Sequence, residues 1–418
     1  MEQSAHALSP LAELSAWLTQ AGLAGMPEIE IVSGFCERCV AAGVPLARGM
    51  AFVDTLHPVH EGRLFRWGYD STLAPLIDYG RTSPHGLAAT GFAAEDVEAA
   101  RRWRNSAFYR MLETGESLLR RRLDAATKDE FAFVSDLYAE GVTDYVAIIN
   151  RFAEDGAIGE MDCVYSFWMT DRAGGFPDEA VWALKRLTPF LGLAIKSASL
   201  ARIASTLVET YLGRDAGRRV LRGRIERGVA DQIKTVLWFS DLRNYTRISE
   251  TAPPEEIIPL LNDYADAVVS SIHEHNGDVL KLIGDGVLAI FPAEERAQAC
   301  KAALDAAGAA HAAVAALNAR RLEMGLPATE MYLGLHLGEV FYGNIGSKDR
   351  LDFTVVGPAV NEVSRIAAMC RSVDQPILIS AAFASSVNDD SRAFASVGRF
   401  ALRGVGKPQE LFTLDLLG

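Results

Sequence analysis

The sequence predicts an α+β protein: two domains joined by one long helix. Three observations carry that expectation. From 233 to 418, apolar runs follow the order strand, helix, strand, strand, helix, strand. From 50 to 170, short apolar strands are interspersed with stretches of helical spacing. Between them, residues 178–212 read as one long helix.

A chain of 418 residues has room for two or three domains. An apolar share of 49% and a charged share of 23% describe an ordinary globular protein. The net charge of −13, from 54 acidic and 41 basic residues, argues against a nucleic-acid coat. No run of about 18 uncharged apolar residues stands out, so no membrane span is expected. The start, Met1-Glu-Gln-Ser-Ala-His6, lacks the basic and apolar regions of a signal peptide. Five cysteines are few and odd in number, which suits a reducing compartment; a cytoplasmic location is expected.

Residues 8–44 read as helical. Leu11, Leu14, Trp17 and Leu18 recur at helical spacing, and Ile29, Ile31, Val32, Phe35 and Val40 follow less regularly. Cys36 and Cys39 form a Cys-x-x-Cys. Half a metal site or a redox pair is the sharper reading. With no second Cys/His pair at zinc spacing, two small apolar residues on a helix face is the plainer one. Met50–Leu56 and Gly62–Tyr69 read as strands, with His57 and His60 in the loop between them. Residues 94–127 are mixed and arginine-rich. Within them Arg120-Arg121-Arg122 reads as a solvated helix face rather than an anion patch.

Phe131–Glu140 reads as a helix closed by Gly141, and Asp144–Asn150 and Cys163–Thr170 as two central strands. Short strands, flanking helices and a long exit helix resemble a GAF-like or PAS-like sensor domain. The resemblance is one of pattern, and no residue motif names a ligand. On the exit helix, Leu207, Tyr211 and Leu212 suit either a second chain or their own domain. Gly213 suits a C-cap, and the basic, Gly-punctuated stretch Arg218–Gly228 reads as a linker.

The next domain opens on the apolar strand Val236–Asp241, which ends in a carboxylate. A helix covers about 254–275, with Ile257, Leu260, Leu261, Tyr264, Val268 and Ile272 at helical spacing. Lys281-Leu-Ile-Gly-Asp-Gly-Val-Leu-Ala-Ile-Phe291 is strand, tight turn, strand. Leu282, Ile283, Val287, Leu288 and Ile290 suit a buried pleated surface, and Asp285-Gly286 supplies turn chemistry. Period 2 puts Lys281 and Asp285 on one face if the strand stays regular. An Ala-rich helix at about 294–324, strands Met331–Leu337 and Glu339–Asn344, a helix at about 359–370 and shorter strands follow. The order is that of a ferredoxin-like (βαββαβ) fold. Two strands, each with a carboxylate at or near a turn, can bring Asp241 and Asp285 together. Oxygen-only ligands there suit Mg²⁺ or Mn²⁺ and a phosphate substrate.

Three separated motifs then carry a family resemblance. They are Phe239-Ser-Asp241-Leu-Arg-Asn-Tyr-Thr246, Lys281-x-x-Gly-Asp285-Gly, and Phe353-Thr354-Val-Val-Gly-Pro-Ala-Val-Asn361-Glu-Val-Ser-Arg365. Together, in this order, they resemble the catalytic domain of class III nucleotidyl cyclases over about 233–418. The resemblance implies attack of a ribose 3′-hydroxyl on the α-phosphorus of a nucleoside triphosphate, with pyrophosphate leaving. It assigns two Mg²⁺ or Mn²⁺ ions per site to Asp241, Asp285 and the backbone carbonyl of Leu242. It implies that Asn361 positions the ribose and Arg365 stabilises charge at the phosphate, a role suited to an always-charged fork of donors.

Hydrogen bonding argues the base. Lysine only donates and a threonine hydroxyl can accept, so Lys281 to N1 and Thr354 from the 6-amino group read adenine, hence ATP. A guanylate cyclase would be expected to place an acid at Lys281. The Lys/Thr pair resembles the bacterial branch of the family. On an extended strand Lys281 and Asp285 stand about 13 Å apart, too far to meet one end of one nucleotide. In the family the site lies between two catalytic domains, and this chain carries both residue sets, so a homodimer is the economical expectation. Asn244 stands where the family usually has Gly, and asparagine tolerates positive φ better than most residues. Leu402-Arg-Gly-Val-Gly-Lys407-Pro matches a triphosphate-binding segment poorly, leaving Arg403 and Lys407 as alternatives.

The expected organisation is a GAF-like regulatory domain over 1–177, a signalling helix and linker over 178–232, and an adenylate cyclase domain over 233–418. An unknown small molecule or protein would act at the first domain. The alternatives are a guanylate cyclase, a catalytically silent nucleotide-binding module and an interaction scaffold.

Overall fold

The computed structural model describes residues 10–80, 101–131, 133–153, 159, 161–387 and 394–414. Parts of three expected helical segments, at 8–9, 94–100 and 132, lie outside the described residues. The chain divides into two compact units, Met1–Leu207 and Val208–Gly418.

The first unit is built on an antiparallel sheet of six strands. They are β1 (Arg48–Asp54), β2 (His60–Trp67), β3 (Leu76–Gly80), β4 (Leu118–Arg122), β5 (Asp144–Arg151) and β6 (Cys163–Thr170), in the order β3-β2-β1-β6-β5-β4. Period 2 sorts the side chains. Ala51, Val53, Val146, Ile148 and Trp168 face a core shared with α1 (Pro10–Leu23), α2 (Glu28–Ala41) and the start of the long helix. Tyr145, Ala147, Ile149 and Phe167 face a second core with Phe108 and Met111 of α3 (Ala107–Thr114). Six consecutive residues of β5 and all of β6 are buried, as strands covered on both faces must be. The short helix α4 (Val134–Ala139) precedes β5.

The long helix α5 (Asp178–Leu212) has the expected bounds. By length and composition alone it is apolar enough to cross a membrane, a test that the core helix of a globular unit also passes. Its Leu184, Leu187, Leu191 and Ile195 lie in the first core of the N-terminal unit. Leu207 packs against that core, Leu212 against the second unit's core, and Tyr211 is exposed.

Cys36 and Cys39 are buried and unbridged. Burial pushes the Cys39 thiol up to about 12 and raises Cys36 as well, which supports the apolar reading over a redox pair. His57 Nδ1 accepts the backbone N–H groups of Val59 and His60, so it orders a turn. The arginine run is not a helix face. It forms edge strand β4, where Arg120 pairs with buried Asp144 at 2.8 Å and Arg121 with Glu130 at 2.8 Å.

The second unit has a larger sheet. Its strands are β7 (Ala230–Leu242), β8 (Asp278–Ile283), β9 (Gly286–Pro292), β10 (Met331–Gly346), β11 (Leu351–Val356), β12 (Ile377–Ser380), β13 (Phe394–Phe400) and β14 (Gln409–Leu414). The order is β13-β14-β12-β10-β7-β9-β8, with β11 paired to β10. The inner four, β10-β7-β9-β8, are mutually antiparallel. With α8 (Pro254–Glu274) and α9 (Arg296–Glu323) they complete the expected βαββαβ order. Val236, Trp238 and Ala289 face α8 and α9, whose Tyr264, Val268, Ala303 and Ala307 are buried. Leu237, Leu288 and Ile290 face the other way. They pack with Ala216 of α6 (Arg214–Leu221) and Val363 of α10 (Pro358–Val373).

The structure differs from the sequence-based expectation at two places. Part of the Arg218–Gly228 linker is helix α6, and Arg219 and Arg224 both pair with Asp231. The two strands expected at Met331–Leu337 and Glu339–Asn344 are one strand, because Gly338 stays in register opposite Thr235. Two further short helices, α7 (Tyr245–Thr251) and α11 (Ala381–Ala384), had no clear sequence signal.

Asp144 is fully buried and accepts from Arg120 and from the backbone N–H of Phe176 at 3.0 Å. Removing the charge takes from Arg120 its fully buried partner, leaving it Asp178 and the Phe176 carbonyl. Asp144→Asn is expected to cost about 3 kcal/mol of stability in urea unfolding of the N-terminal unit. A loss below about 1 kcal/mol would show that the bridge is replaced by solvent.

Candidate active site

The site begins where two chain reversals meet. β7 and β9 pair through Ser240 and Val287, so the end of β7 lies beside the β8–β9 turn. That turn is Gly284-Asp285, with Ile283 opposite Gly286. Gly284 has φ +63 and Asp285 does not have positive φ, the pattern of a hairpin turn with Gly first. The Asp285 Oδ2 accepts the backbone N–H of Leu242 at 3.1 Å. Asp241, the residue before, is thereby held next to a second carboxylate.

The electrostatics record that crowding. Burial pushes the Asp241 carboxyl up to about 6, the charge of Asp285 adds to the rise, and Arg371 pulls against it. Among the described residues no side chain forms an ion pair or hydrogen bond with the Asp241 carboxylate. Below it, Ser240 Oγ accepts from Trp238 Nε1 and from the Tyr264 hydroxyl, both at 3.1 Å, which anchors the strand end. Asn244 takes φ +58, so the left-handed turn expected of this asparagine is present.

The donor set fits a hard divalent cation. Two carboxylates crowd each other, and the adjacent Leu242 offers a main-chain carbonyl. No cluster of three His, Cys, Asp or Glu side chains able to hold a metal occurs among the described residues. Backbone, phosphate and water oxygens must therefore complete any coordination shell, as suits Mg²⁺ or Mn²⁺ bound with a phosphate substrate.

Lys281 and Asp285 do not share a strand face. The β8–β9 register shifts between Val279 and Lys281, and Asp285 sits in the turn itself. Leu282 and Ile283, expected to be buried, are 57% and 47% exposed. The hairpin tip projects beyond the layers that cover its base. Lys281 Nζ pairs with Asp352 Oδ2 at 3.2 Å. Asp352 lies two residues before the buried Thr354 on β11, so the pair brings Lys281 to the strand that carries Thr354.

Helix α10 starts on Pro358 after Gly357, which has φ +145. Asn361 and Arg365 are exposed, one turn apart on this helix. Arg403 and Lys407 lie in the exposed connection between β13 and β14, with no ion-pair partner among the described residues. Nothing distinguishes one from the other.

Sequence reasoning missed Asp352, Arg371 and the Ser240–Tyr264 support. Only Asp352 left a signal, its period-2 spacing from Thr354. A cleft of about 1140 Å³, lined by Arg243, Arg247, His311 and Leu322 among others, contains none of the expected site residues.

The raised Asp241 carboxyl has a sign. The protonated form is favoured in the folded domain, so folding loses stability as pH rises from 3.8 through about 6. In metal-free protein, Asp241→Asn is expected to raise the melting temperature at pH 8 and to leave it unchanged near pH 3.5. Mn²⁺ should stabilise wild type at pH 8 and leave the variant unmoved. Equal stabilisation of both by Mn²⁺ would contradict the assignment.

The sequence model of the adenylate and guanylate cyclase catalytic domain matches residues 229–415. An uncharacterized protein of Mycobacterium tuberculosis is 32% identical over 209 residues, 49% of this chain and 36% of that protein. The adenylate cyclase of Anabaena cylindrica is 36% identical over 160 residues, 37% of this chain and 31% of that protein. The chain thus spans about a third of the length of these relatives. Among solved structures, the adenylyl cyclase CyaB from P. aeruginosa aligns with a TM-score of 0.41 at 25% identity, covering 44% of this chain and 95% of that one. Residues 229–415 carry a class III adenylyl/guanylyl cyclase catalytic domain, with adenylate cyclases among its relatives.

Proposed function

We propose that this chain is a homodimeric adenylate cyclase, converting ATP to 3′,5′-cyclic AMP and pyrophosphate, regulated by its N-terminal unit. The observation that carries the reading is the carboxylate pair Asp241 and Asp285, crowded together at the Leu242 backbone on a cyclase-family domain. Such crowding is unfavourable until a cation and phosphates share the site.

Each residue then has a task. Asp241, Asp285 and the Leu242 carbonyl hold the metal ions. Two Mg²⁺ or Mn²⁺ ions supply charge neutralisation and ease loss of the 3′-hydroxyl proton. Asn361 orients the ribose, so that the 3′-oxygen lies in line with the α-phosphorus. Arg365 donates to the α-phosphate oxygens, where charge builds. Arg403 or Lys407 holds the triphosphate end. Lys281 donates to adenine N1 and the Thr354 hydroxyl accepts from the 6-amino group. The Lys281–Asp352 pair supports this reading, because it holds the lysine near Thr354 with its donors partly free.

Exposed apolar groups support the dimer. Leu282 and Ile283 follow Lys281, while Phe341 and Val356 form a cross-strand pair beside Thr354, and all four are at least 40% exposed. A second copy that covers them would place its Asp241 and Asp285 opposite this chain's Lys281, Thr354, Asn361 and Arg365. The GAF-like unit, acting through α5 in a cytoplasmic protein, is the regulatory part of the same proposal.

Purified full-length protein with ATP and Mg²⁺ or Mn²⁺ is expected to form cyclic AMP, at least about tenfold faster than cyclic GMP from GTP. Asp285→Asn is expected to lower turnover by about 10²–10³-fold. Preference for GTP would assign a guanylate cyclase, and tight ATP binding with no product would assign a silent module. Deleting residues 1–200 is expected to change specific activity or the monomer–dimer equilibrium. No change in either would remove the regulatory role.

A further inference from the structure

Helix α10 lies on β10 along an unusual track. Gly334, His336 and Gly338 alternate on β10, so all three face the same side of the sheet. A Cβ at Gly334 would come within 2.7 Å of the Ala367 nitrogen and 2.8 Å of the Val363 oxygen. A Cβ at Gly338 would come within 2.4 Å of the Ala359 Cβ. The two glycines therefore let α10 rest directly on the strand, and His336 is the side chain between them.

His336 is buried and has a partner at each ring nitrogen. Its Nδ1 lies 2.9 Å from Ser380 Oγ at the end of β12. That hydroxyl oxygen also accepts the Phe383 backbone N–H, capping α11, and its rotatable proton can serve Nδ1 when the ring proton is drawn to Nε2 by the carboxylate facing it. The proton on the neutral ring then sits on Nε2, which faces Glu362 Oε2 of α10 at 3.5 Å. Burial holds the ring pKa down at about 4, so the contact is a dipole aimed at a carboxylate rather than an ion pair. Glu362 lies between Asn361 and Arg365 in sequence, on the helix side turned toward the strand.

We propose that His336 is a positioning residue, which through Glu362 fixes the rotation of α10 about its axis and so the aim of Asn361 and Arg365. Close packing on two glycines sets the helix height. The buried face of Ala359, Val363, Ile366 and Cys370 sets rotation to within the tolerance of apolar packing. The Ser380–His336–Glu362 chain, anchored at its far end in the sheet, narrows it further. The inference rests on the cyclase reading of Asn361 and Arg365.

The test is a kinetic cycle on full-length protein with ATP. His336→Leu and Glu362→Ala are each expected to lower kcat by about 10–100-fold with KM for ATP within about twofold, the size of effect small misplacements cause. Glu362→Gln, which keeps an acceptor oxygen facing Nε2, should keep kcat within about threefold of wild type. In an Asn361→Ala background, His336→Leu should cost clearly less than it does in wild type, because one of the two groups it aims is gone and only the aim of Arg365 remains to be lost. A purely structural role would give additive losses in that background. Thermal melts identify any variant that fails to fold, and Glu362→Ala, at a half-buried position, serves if His336→Leu does. Additive losses, or kcat within twofold of wild type in both variants, overturn the inference alone. A folded wild type without cyclic nucleotide product overturns the cyclase reading and the inference with it.

Discussion

One hydrogen bond organises the catalytic unit: Asp285 Oδ2 to the backbone N–H of Leu242. It ties the β8–β9 turn to the end of β7 and sets two carboxylates side by side. A bond from a main-chain donor holds Asp285 in place without neutralising Asp241, whose carboxyl stays well above the usual range. The pair stays crowded in the protein alone. Stability is given up at the place where a cation and a polyphosphate can return it.

Everything around that bond keeps it in register. β7 is central, with β9 on one side and β10 on the other, and is covered on both faces. Trp238 and Tyr264 converge on Ser240, so the residue before Asp241 cannot swing. The same period-2 logic acts on β10. Leu333, Leu335 and Leu337 fill one core, while Gly334, His336 and Gly338 form the track under α10. The acidic pair and the helix that carries Asn361 and Arg365 are thus both set by neighbouring strands of one sheet.

The edges of this unit behave differently from its centre. The hairpin tip exposes Leu282 and Ile283, and the β10–β11 ladder exposes Phe341 and Val356. Apolar side chains at such positions cost little singly, yet here they flank Lys281 and Thr354. The site of a single chain is open on that side.

Much of this was legible in the sequence because it is local. Helical spacing places α5 and α8 closely, and the alternation of buried residues marks β7 and β9. Asn244 keeps its left-handed turn because an asparagine tolerates it. The three motifs mark Asp241, Asp285, Lys281, Thr354, Asn361 and Arg365 as candidates in the sequence itself. Period 2 failed at Lys281 because a register shift and a tight turn intervene, and neither is visible until strands pair. The exposure of Leu282, the salt bridge of Arg120 to Asp144 and the contact of Lys281 with Asp352 were likewise beyond reach. Each joins residues far apart in the chain or depends on which layers cover a strand. The sequence by itself determined the elements, their order and the chemical kinds of side chain at the site. Only the tertiary structure decided which carboxylates crowd, which apolar groups remain uncovered and what sits beneath helix α10, because those outcomes depend on long-range strand register and on the close approach that glycine permits.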